Sequence, residues 1–280
     1  MTKDWRAINV ANWESRVAVH TGPGGYDRDA FDDPSHLSDV VRYDLPRLGR
    51  LDGLDAVHLQ CHIGTDTISL SRLGARTMVG LDFSPSALRE ARALAARAGT
   101  DVTFVDGDAY DAVGLLGAHR FDLVYTGIGS LCWLPSIRRW AEVVAGLLRP
   151  GGRLFIREGH PVLWSMSDPR PDDLLVVEYP YFETDGVVFF EESSYAGTAA
   201  IDAPESVSFN HGLGEIFTAL RDTGLTMTSL EEHREVPWNP LGETMVPSPD
   251  FAGEFVLASG RDRIPLTYTL QAVNEKDAGS

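Results

Sequence analysis

The sequence contains few cysteines, and their positions exclude two kinds of site. Only two occur in 280 residues, Cys61 and Cys132, so no disulfide framework is expected. They also lack the paired spacing of cysteine-based metal sites, and we predict no metal site. The patterns His-Glu-x-x-His and Gly-x-Ser-x-Gly are missing as well, which disfavours a metallohydrolase or a serine hydrolase.

Basic residues are scarce relative to acidic ones. The chain has 24 lysines and arginines against 41 aspartates and glutamates, a formal net charge of −17. A surface of this sign repels phosphate backbones, so we expect no nucleic-acid partner. The first twenty residues carry charges throughout and hold no long apolar run. We therefore predict neither a signal peptide nor a membrane partner, and a cytoplasmic location.

Strand-like and helix-like segments alternate between residues 56 and 158. The strand patterns are 56–59, 76–82, 102–108, 121–127 and 153–158. The clearest helix has Ser84 as its N-cap, Pro85 at its first position and Gly99 at its carboxyl end. This alternation predicts a parallel sheet with helices on both faces and a ligand site along one edge.

After Pro161 the pattern changes. Residues 174–197 are rich in aromatic side chains with a turn at Asp185-Gly186, which we interpret as a β-hairpin or small inserted cap. Two further strand patterns, 226–236 and 264–274, follow. The predicted class is α/β, a Rossmann-like, seven-stranded, mostly parallel sheet. Its predicted parts are an N-terminal helical lid segment (1–50), a cofactor-binding core (51–160), an inserted β-rich substrate cap (161–210) and a C-terminal completion of the core (211–280).

The segment after the first strand pattern has the form of a tight turn leading into a helix. Backbone N–H groups at a helix N-terminus favour negative or electron-rich ligand groups. Gln60, Cys61 and His62 precede Gly64, the one glycine that gives this turn conformational freedom. The turn alone is equally consistent with an ordinary strand-to-helix loop.

Two acidic residues at neighbouring strand ends strengthen the case for a ligand. Asp82 ends the second strand pattern, 18 residues after Gly64, where a carboxylate can accept hydrogen bonds from ribose hydroxyls. Asp108 ends the third, where it can accept a hydrogen bond from an exocyclic amine. Three ligand groups on three consecutive strand ends favour a nucleoside-containing cofactor.

Together these stretches resemble the class I S-adenosylmethionine-dependent methyltransferases. Gln60, His62 and Gly64 align with the three glycines of that family's first motif, and His58 stands where its strand acid usually lies. The family's second to fifth motifs are resembled, in order, by four stretches of this sequence: GLDFSPSAL, VDGDAYD, FDLVYTGIGSLCWLP and LLRPGGRLFIREGHP. The resemblance is strong over about residues 50 to 160. INVANWESRVAVH, HLQCHIGTDT and FNHGLGEIFTAL are also similar to a bacterial, natural-product-type subgroup that acts on small molecules.

The resemblance implies S-adenosylmethionine as the cofactor and S-adenosylhomocysteine as its product. It places Asp82 at the ribose, and Asp108 with the Ala109 amide at the adenine. The full set of implied cofactor contacts comes from the lid, the turn and the strand ends: Tyr26, Gln60, Cys61, His62, Gly64, Asp82, Phe83, Asp108, Ala109 and Thr126.

Methyl transfer needs a nucleophile in line with a sulfonium, so a closed and oriented site supplies much of the rate. Residues after the strand ends are the catalytic candidates: Tyr125, Glu158, His160 and His211. Aromatic and imidazole side chains of the lid and cap are the substrate-binding candidates: His20, Trp164, Tyr181 and Tyr195. Each also has a purely structural interpretation, as an ion-pair partner, a turn residue, a helix cap or part of a small core.

The predicted function is methyl transfer to N, C or O of a small, aromatic or amine-bearing molecule, an indole carbon included. One alternative is a nicotinamide-dependent oxidoreductase, which would need the Gly-x-Gly-x-x-Gly pattern that this turn lacks. Another is a non-catalytic cofactor-binding subunit. The oligomeric state stays open between monomer and homodimer.

Overall fold

The computed structural model describes residues 4–197 and 199–275. The α-helices within these ranges are α1 (Trp5–Thr21), α2 (Asp39–Leu48), α3 (Thr65–Arg72), α4 (Pro85–Arg97), α5 (Ala112–Leu116), α6 (Ile137–Leu147), α7 (Pro161–Trp164) and α8 (Leu213–Asp222). The strands are β1 (Asp55–Leu59), β2 (Thr77–Asp82), β3 (Thr103–Asp106), β4 (Phe121–Thr126), β5 (Leu148–Gly159), β6 (Val187–Phe190), β7 (Glu205–Ser208), β8 (Leu225–His233), β9 (Met245–Pro247), β10 (Phe255–Leu257) and β11 (Thr267–Asn274).

The central feature is a seven-stranded sheet with the order β3-β2-β1-β4-β5-β11-β8. Strands β1 to β5 pair in parallel, whereas β11 is antiparallel to both of its neighbours. The predicted mostly parallel, seven-stranded α/β sheet is thereby confirmed. Because β1 to β4 point the same way, their carboxyl ends meet at one edge, where ligands of such folds bind.

Apolar side chains cover both faces of this sheet. Val57, Leu59 and Val124 pack on one face with α6 and α8, in the largest core cluster. Ala56 and Leu123 pack on the opposite face with α2 and α3. Successive residues of a strand alternate between the two faces, and this alternation decides which side chains reach which layer.

Helix α4 follows the sequence signals closely. The Ser84 side chain accepts a hydrogen bond from the Ala87 amide, and Pro85 takes the first helical position. Gly99 has a φ of +64°, the left-handed conformation that commonly ends a helix. These local signals suffice because Ser84 satisfies one amide that the helix start leaves free, Pro85 has no amide to leave free, and Gly99 adopts the backbone that ends the helix.

The inserted cap differs from the predicted hairpin. Strand β6 begins directly after Gly186, but its antiparallel partner is β7, further along the chain. Of the two predicted forms, the β-hairpin across Asp185-Gly186 is wrong and the small inserted cap is the one observed. Pro180 explains the difference, because a residue without an amide interrupts the segment that would have been the first strand.

A second, smaller core lies between the cap and the chain after β8. Leu163 and Met166 pack against Val236, Leu241 and Met245. Strands β9 and β10 pair with each other within this region. The chain between β8 and β11 therefore supports the cap, a packing that the sequence patterns did not predict.

Candidate functional site

The turn after β1 adopts a conformation that normally requires glycine. Gln60, His62 and Gly64 have φ values of +58°, +49° and +80°. These are the three positions that align with the family's glycines, and two of them hold bulky residues in left-handed backbone. Backbone that normally requires glycine is thus formed at these positions although two of the three residues carry side chains.

Hydrogen bonds to the backbone hold this turn in place. The amide of Cys61 donates to the Leu81 carbonyl at 3.0 Å, and that of His62 donates to Asp82 Oδ2 at 2.8 Å. Two observations explain why position 64 holds glycine. Its φ of +80° would strain a residue with a side chain, and a Cβ there would lie 2.9 Å from the Phe104 ring. The turn is therefore fixed against the end of β2.

Asp82 links the turn to the start of α4. Besides the His62 amide, its carboxylate accepts a hydrogen bond from the Ser84 amide at 2.9 Å. Burial raises the pKa of Asp82 to about 6, although the two amide hydrogen bonds act in the opposite direction. Each carboxylate oxygen can accept more than one hydrogen bond, so capacity remains for ribose hydroxyls.

Two buried polar atoms beside the turn have no hydrogen-bond partner within the described residues. They are Gln60 Oε1 and Thr126 Oγ1. The residues that carry them are neighbours, since Thr126 pairs in register with Leu59 at the end of β1. Buried polar groups are nearly always satisfied by protein, water or ligand, and a ligand group between β1 and β4 would satisfy this pair.

Glu158 fixes the loop that follows β4. Its carboxylate accepts hydrogen bonds from the amides of Gly129, Ser130 and Leu131, and from its own neighbour Gly159, at 2.6–2.8 Å. The Ser130 carbonyl in turn accepts a hydrogen bond from Gln60 Nε2 at 3.0 Å. These contacts favour a positioning role for Glu158 over the predicted catalytic one.

The predicted adenine end is a cavity of ≈ 310 Å³ beside β3. Its lining includes Phe83, Asp106 and Asp108 from the strand ends and Arg6 from α1. Asp108 accepts a hydrogen bond from the Tyr110 amide and forms an ion pair with Arg6 at 2.9 Å. Sequence reasoning missed Arg6, since nothing in its spacing links it to a residue a hundred positions away.

Helix α1 lies across the turn with an aromatic surface. The rings of Trp13 and His62 are 4.9 Å apart, and Trp13 also contacts Trp133 at 5.2 Å. His20 Nδ1 and His62 Nε2 form a 2.8 Å hydrogen bond. Tyr26 of the lid bonds Tyr195 of the cap through their hydroxyls at 2.9 Å. The turn, the lid and the cap therefore meet at one place.

Both imidazoles in this cluster are neutral near pH 7. Burial, with a contribution from Arg16, lowers the pKa of His20 to about 4. Burial also lowers the pKa of His62 well below its usual value, and His20 and Arg16 add to the effect. Arg16 itself is buried and compensated by Glu191 at 2.8 Å, so its charge is balanced by the cap.

The structure gives several other candidates contacts within the protein interior. Tyr125 lies on the α2 side of the sheet, where its hydroxyl donates to Asp44 at 2.7 Å. His160 contacts Glu232 through Nε2 and accepts the Val162 amide at Nδ1. The alternation of β4 explains Tyr125, because it places Thr126 and Tyr125 on opposite faces. These contacts favour structural roles for both residues.

The remaining candidates divide between the core and the cap. Cys61 packs beside Phe104 in an apolar cluster, and Ala109 lies in the main core. Trp164 stacks on Trp238 at 5.6 Å, while Tyr181 contacts Phe182. Of the four substrate candidates, the described ring contacts bring only His20 and Tyr195 together, 4.9 Å apart.

Comparison with known proteins identifies the family that the sheet-forming part of the chain matches. No curated protein matches the sequence. Residues 57–154, which span β1 to most of β5, match the family model of the methyltransferase domain. The chain carries a methyltransferase domain. This confirms the predicted class I, S-adenosylmethionine-dependent methyltransferase enzyme, with S-adenosylmethionine as its cofactor.

Solved structures share the fold of this methyltransferase at low sequence identity. An S-adenosylmethionine-dependent methyltransferase from Mesorhizobium loti is 22% identical, with 84% of this chain and 98% of that chain covered and a TM-score of 0.60. A structure concerning the conversion of a disulfide bond into a thioacetal group during echinomycin biosynthesis is 18% identical (95% and 92% covered, TM-score 0.54). Magnesium protoporphyrin IX methyltransferase from Synechocystis PCC 6803, with bound S-adenosylmethionine, is 15% identical (96% and 94% covered, TM-score 0.51).

Proposed function

We propose that this methyltransferase transfers a methyl group from S-adenosylmethionine to a small molecule, with the cofactor lying along the carboxyl ends of β1 to β4 beneath α1. The observation that carries the assignment of the site is the pair of unpartnered buried atoms, Gln60 Oε1 and Thr126 Oγ1. They fit the polar amino-acid part of the cofactor, since Gln60 Oε1 can accept from an ammonium group and the Thr126 hydroxyl can donate or accept.

The other end of the proposed site suits a nucleoside. We assign Asp82 to the ribose, whose hydroxyls its carboxylate can accept hydrogen bonds from, and the cavity lined by Phe83 and Asp108 to the base. Arg6 holds one oxygen of Asp108 through a side chain that is mostly exposed, so an incoming base competes with this ion pair. Water screens the exposed partner of such a pair, which favours its exchange for a ligand contact.

The substrate side is proposed to be the junction of lid and cap. When bound, the cofactor supplies an electrophilic methyl group on a positive sulfonium. Trp13, Trp133 and Tyr26 offer aromatic faces, which attract cations and exclude water. His20 and His62 are neutral there and add no repelling charge. The protein thus contributes orientation and a dry surface, and an aromatic or amine-bearing substrate fits these walls.

Two of the structural neighbours act in small-molecule chemistry, which supports a small substrate. One concerns echinomycin biosynthesis, and the other is a methyltransferase of magnesium protoporphyrin IX. The acidic surface, with a net charge of −17, supports the same proposal because it disfavours nucleic acid. No helix within the described residues is long and apolar enough to cross a membrane.

Calorimetry with S-adenosylhomocysteine tests the proposed site. We expect Asp82→Ala to weaken binding at least tenfold, a loss of about 1.4 kcal/mol or more. Asp101→Asn is the matched control, because Asp101 is exposed at the opposite end of the neighbouring strand β3 and should leave the affinity unchanged. An unchanged affinity in Asp82→Ala would show that the ribose lies elsewhere.

A thermal-shift comparison tests the class of cofactor. S-adenosylhomocysteine should raise Tm, because a ligand that binds only the folded state stabilises it. NAD should leave Tm unchanged, since the turn lacks the glycines of a dinucleotide site. A rise with NAD alone would favour the nicotinamide-dependent oxidoreductase instead.

A further inference from the structure

Three side chains with metal-binding atoms meet where the cap joins the core. Glu183 comes from the cap, His211 precedes α8, and Glu215 lies in the first turn of α8. Their nearest imidazole and carboxylate atoms all lie within 4.8 Å of one another. This cluster is separate from the proposed cofactor contacts, and none of the roles assigned above uses it as a ligand site.

The hydrogen bonds of His211 direct one ring nitrogen at the carboxylates. His211 is buried, and its Nε2 lies 2.7 Å from the Leu134 carbonyl oxygen, which can only accept, so Nε2 carries a proton. The other nitrogen, Nδ1, faces both carboxylate oxygens of Glu215, at 3.3 and 3.4 Å. A cation placed between Nδ1 and this carboxylate would be bound by both groups.

Two carboxylates meet beside this imidazole. Glu183 and Glu215 each bring a carboxylate oxygen within 4.8 Å of the His211 ring nitrogen. A divalent cation would balance the negative charge of carboxylates gathered in this way.

We propose that Glu183, His211 Nδ1 and Glu215 bind a divalent first-row transition cation, with Zn²⁺ as the best match. One nitrogen and two carboxylate ligands are a donor set that Zn²⁺ accepts in tetrahedral sites. Ligands at about 2.0–2.2 Å from Zn²⁺ lie roughly 3.3 Å from one another, close to the distance between His211 and Glu215. Three protein ligands leave a position open for water or another molecule.

The surroundings give the cation a route and a consequence. Glu183 and Glu215 line an open groove of ≈ 760 Å³, whose wall also includes Ser136 and Thr218. An ion can therefore enter from solvent. Since Glu183 belongs to the cap and His211 is bonded to the loop before α6, a bound ion would fasten the cap to the core. The proposal departs from the expectation of no metal site, which rested on the cysteine spacing and on the missing His-Glu-x-x-His pattern.

Calorimetry with Zn²⁺ on EDTA-treated full-length protein tests the proposal. We expect one equivalent to bind to the unmodified protein and the affinity to fall at least tenfold in Glu183→Gln. Glu142→Gln is the matched control, because Glu142 lines the same groove but only pairs with Arg138. Its affinity for Zn²⁺ should match that of the unmodified protein. Absence of binding, or equal losses in both variants, would overturn the proposal.

A second measurement distinguishes a built site from general acidity. Zn²⁺ should raise the Tm of the unmodified protein and of Glu142→Gln but not that of Glu183→Gln, while Mg²⁺ at the same concentration should have no effect. An equal rise with Mg²⁺ would show that the carboxylates act without the imidazole and would contradict the proposal. Glu183 is exposed, so its substitution leaves the fold intact. S-adenosylhomocysteine binding, measured separately, reports on the proposed function and not on the cation.

Discussion

At the scale of single residues, the turn after β1 keeps a strained backbone. Gln60 and His62 have positive φ values, a conformation that costs roughly 1–2 kcal/mol for a residue with a Cβ. Contacts on every side hold it there: the His62 amide is bound by Asp82, and its ring lies between His20 and Trp13. Strain of this kind persists where surrounding structure over-determines it, as at ligand sites.

Comparing two substitutions at one position isolates this strain. Gln60→Gly and Gln60→Ala both remove the hydrogen bond to Ser130, but only alanine keeps a Cβ at a φ of +58°. We therefore expect Gln60→Gly to be more stable than Gln60→Ala by about 1 kcal/mol in the free energy of unfolding. Urea denaturation of the two variants gives this difference.

The matched control reverses the order. Ala93 is exposed in the middle of α4, where glycine is less stable than alanine by about 1 kcal/mol. The unmodified protein should therefore exceed Ala93→Gly in stability. If alanine were also preferred at position 60, the turn would not carry the backbone strain assigned to it.

The neutral His20 predicts a pH dependence. Its pKa is lowered to about 4 in the folded protein from an ordinary value of 6.5, so the unfolded chain binds the proton more tightly. Its contribution to stability is then present above pH 6.5 and is lost as the pH falls toward 4. The unmodified protein should lose about 2 kcal/mol more than His20→Asn between pH 7.5 and pH 5.

Urea denaturation at the two pH values measures this difference. The subtraction is needed because Asp82 has a raised pKa of about 6 and acts with the opposite sign. His20→Asn keeps Asp82, so that contribution cancels. Equal losses in the two proteins would mean that His20 accepts a proton as easily as it does in an unfolded chain.

At the scale of elements, the loop after β4 depends on one carboxylate. Glu158 accepts four backbone amides, and through Ser130 it also fixes Gln60. In Glu158→Gln, an amide nitrogen replaces one acceptor and faces N–H groups. We expect a loss of about 3 kcal/mol in unfolding free energy and weaker S-adenosylhomocysteine binding, measured by urea denaturation and calorimetry.

Glu232→Gln is the control for this change. Glu232 lies at the surface and pairs with His160, so the same substitution should cost no more than about 0.5 kcal/mol and leave cofactor affinity unchanged. A Glu158→Gln protein as stable as the control would remove the positioning role assigned to Glu158.

The helices and strands also show which structural features can be predicted from the sequence and which cannot. Ser84 and Pro85 at the start of α4 and Gly99 after its end act through local contacts, and the sequence predicted all three. Asp82 likewise lies at the predicted strand end. Tyr125 has a partner on α2 that no local pattern reveals, because Asp44 lies 81 positions away. Contacts between distant segments depend on packing, which periodicity does not encode.

At the scale of the whole molecule, side chains of α1 form hydrogen bonds with the backbone of the cap, including strand β7. Asn9 donates from Nδ2 to the Val207 carbonyl at 2.9 Å and accepts the Val207 amide at 2.8 Å. Asn12 donates to the Ala203 carbonyl, and Arg16 pairs with Glu191. The lid and the cap therefore form one unit over the carboxyl ends of the sheet.

Breaking this unit should loosen both of its parts together. Asn9→Ala leaves the amide and carbonyl of Val207 without their side-chain partner, at a cost of about 2 kcal/mol. Hydrogen exchange should become faster in both α1 and β7 while β1 to β5 stay protected. Asn239→Ala, which removes one local hydrogen bond at the surface, should change neither region. Faster exchange in β7 alone would contradict the coupling.

The position of strand β11 has a consequence for folding during synthesis. It lies between β5 and β8 and is the last of the sheet's strands along the chain. During synthesis on the ribosome, β8 emerges before the strand that it pairs with, so this side of the sheet stays incomplete until β11 has left the exit tunnel. Because chains are synthesised from the N-terminus onward, β5 keeps an unpaired edge until β11 is available to cover it.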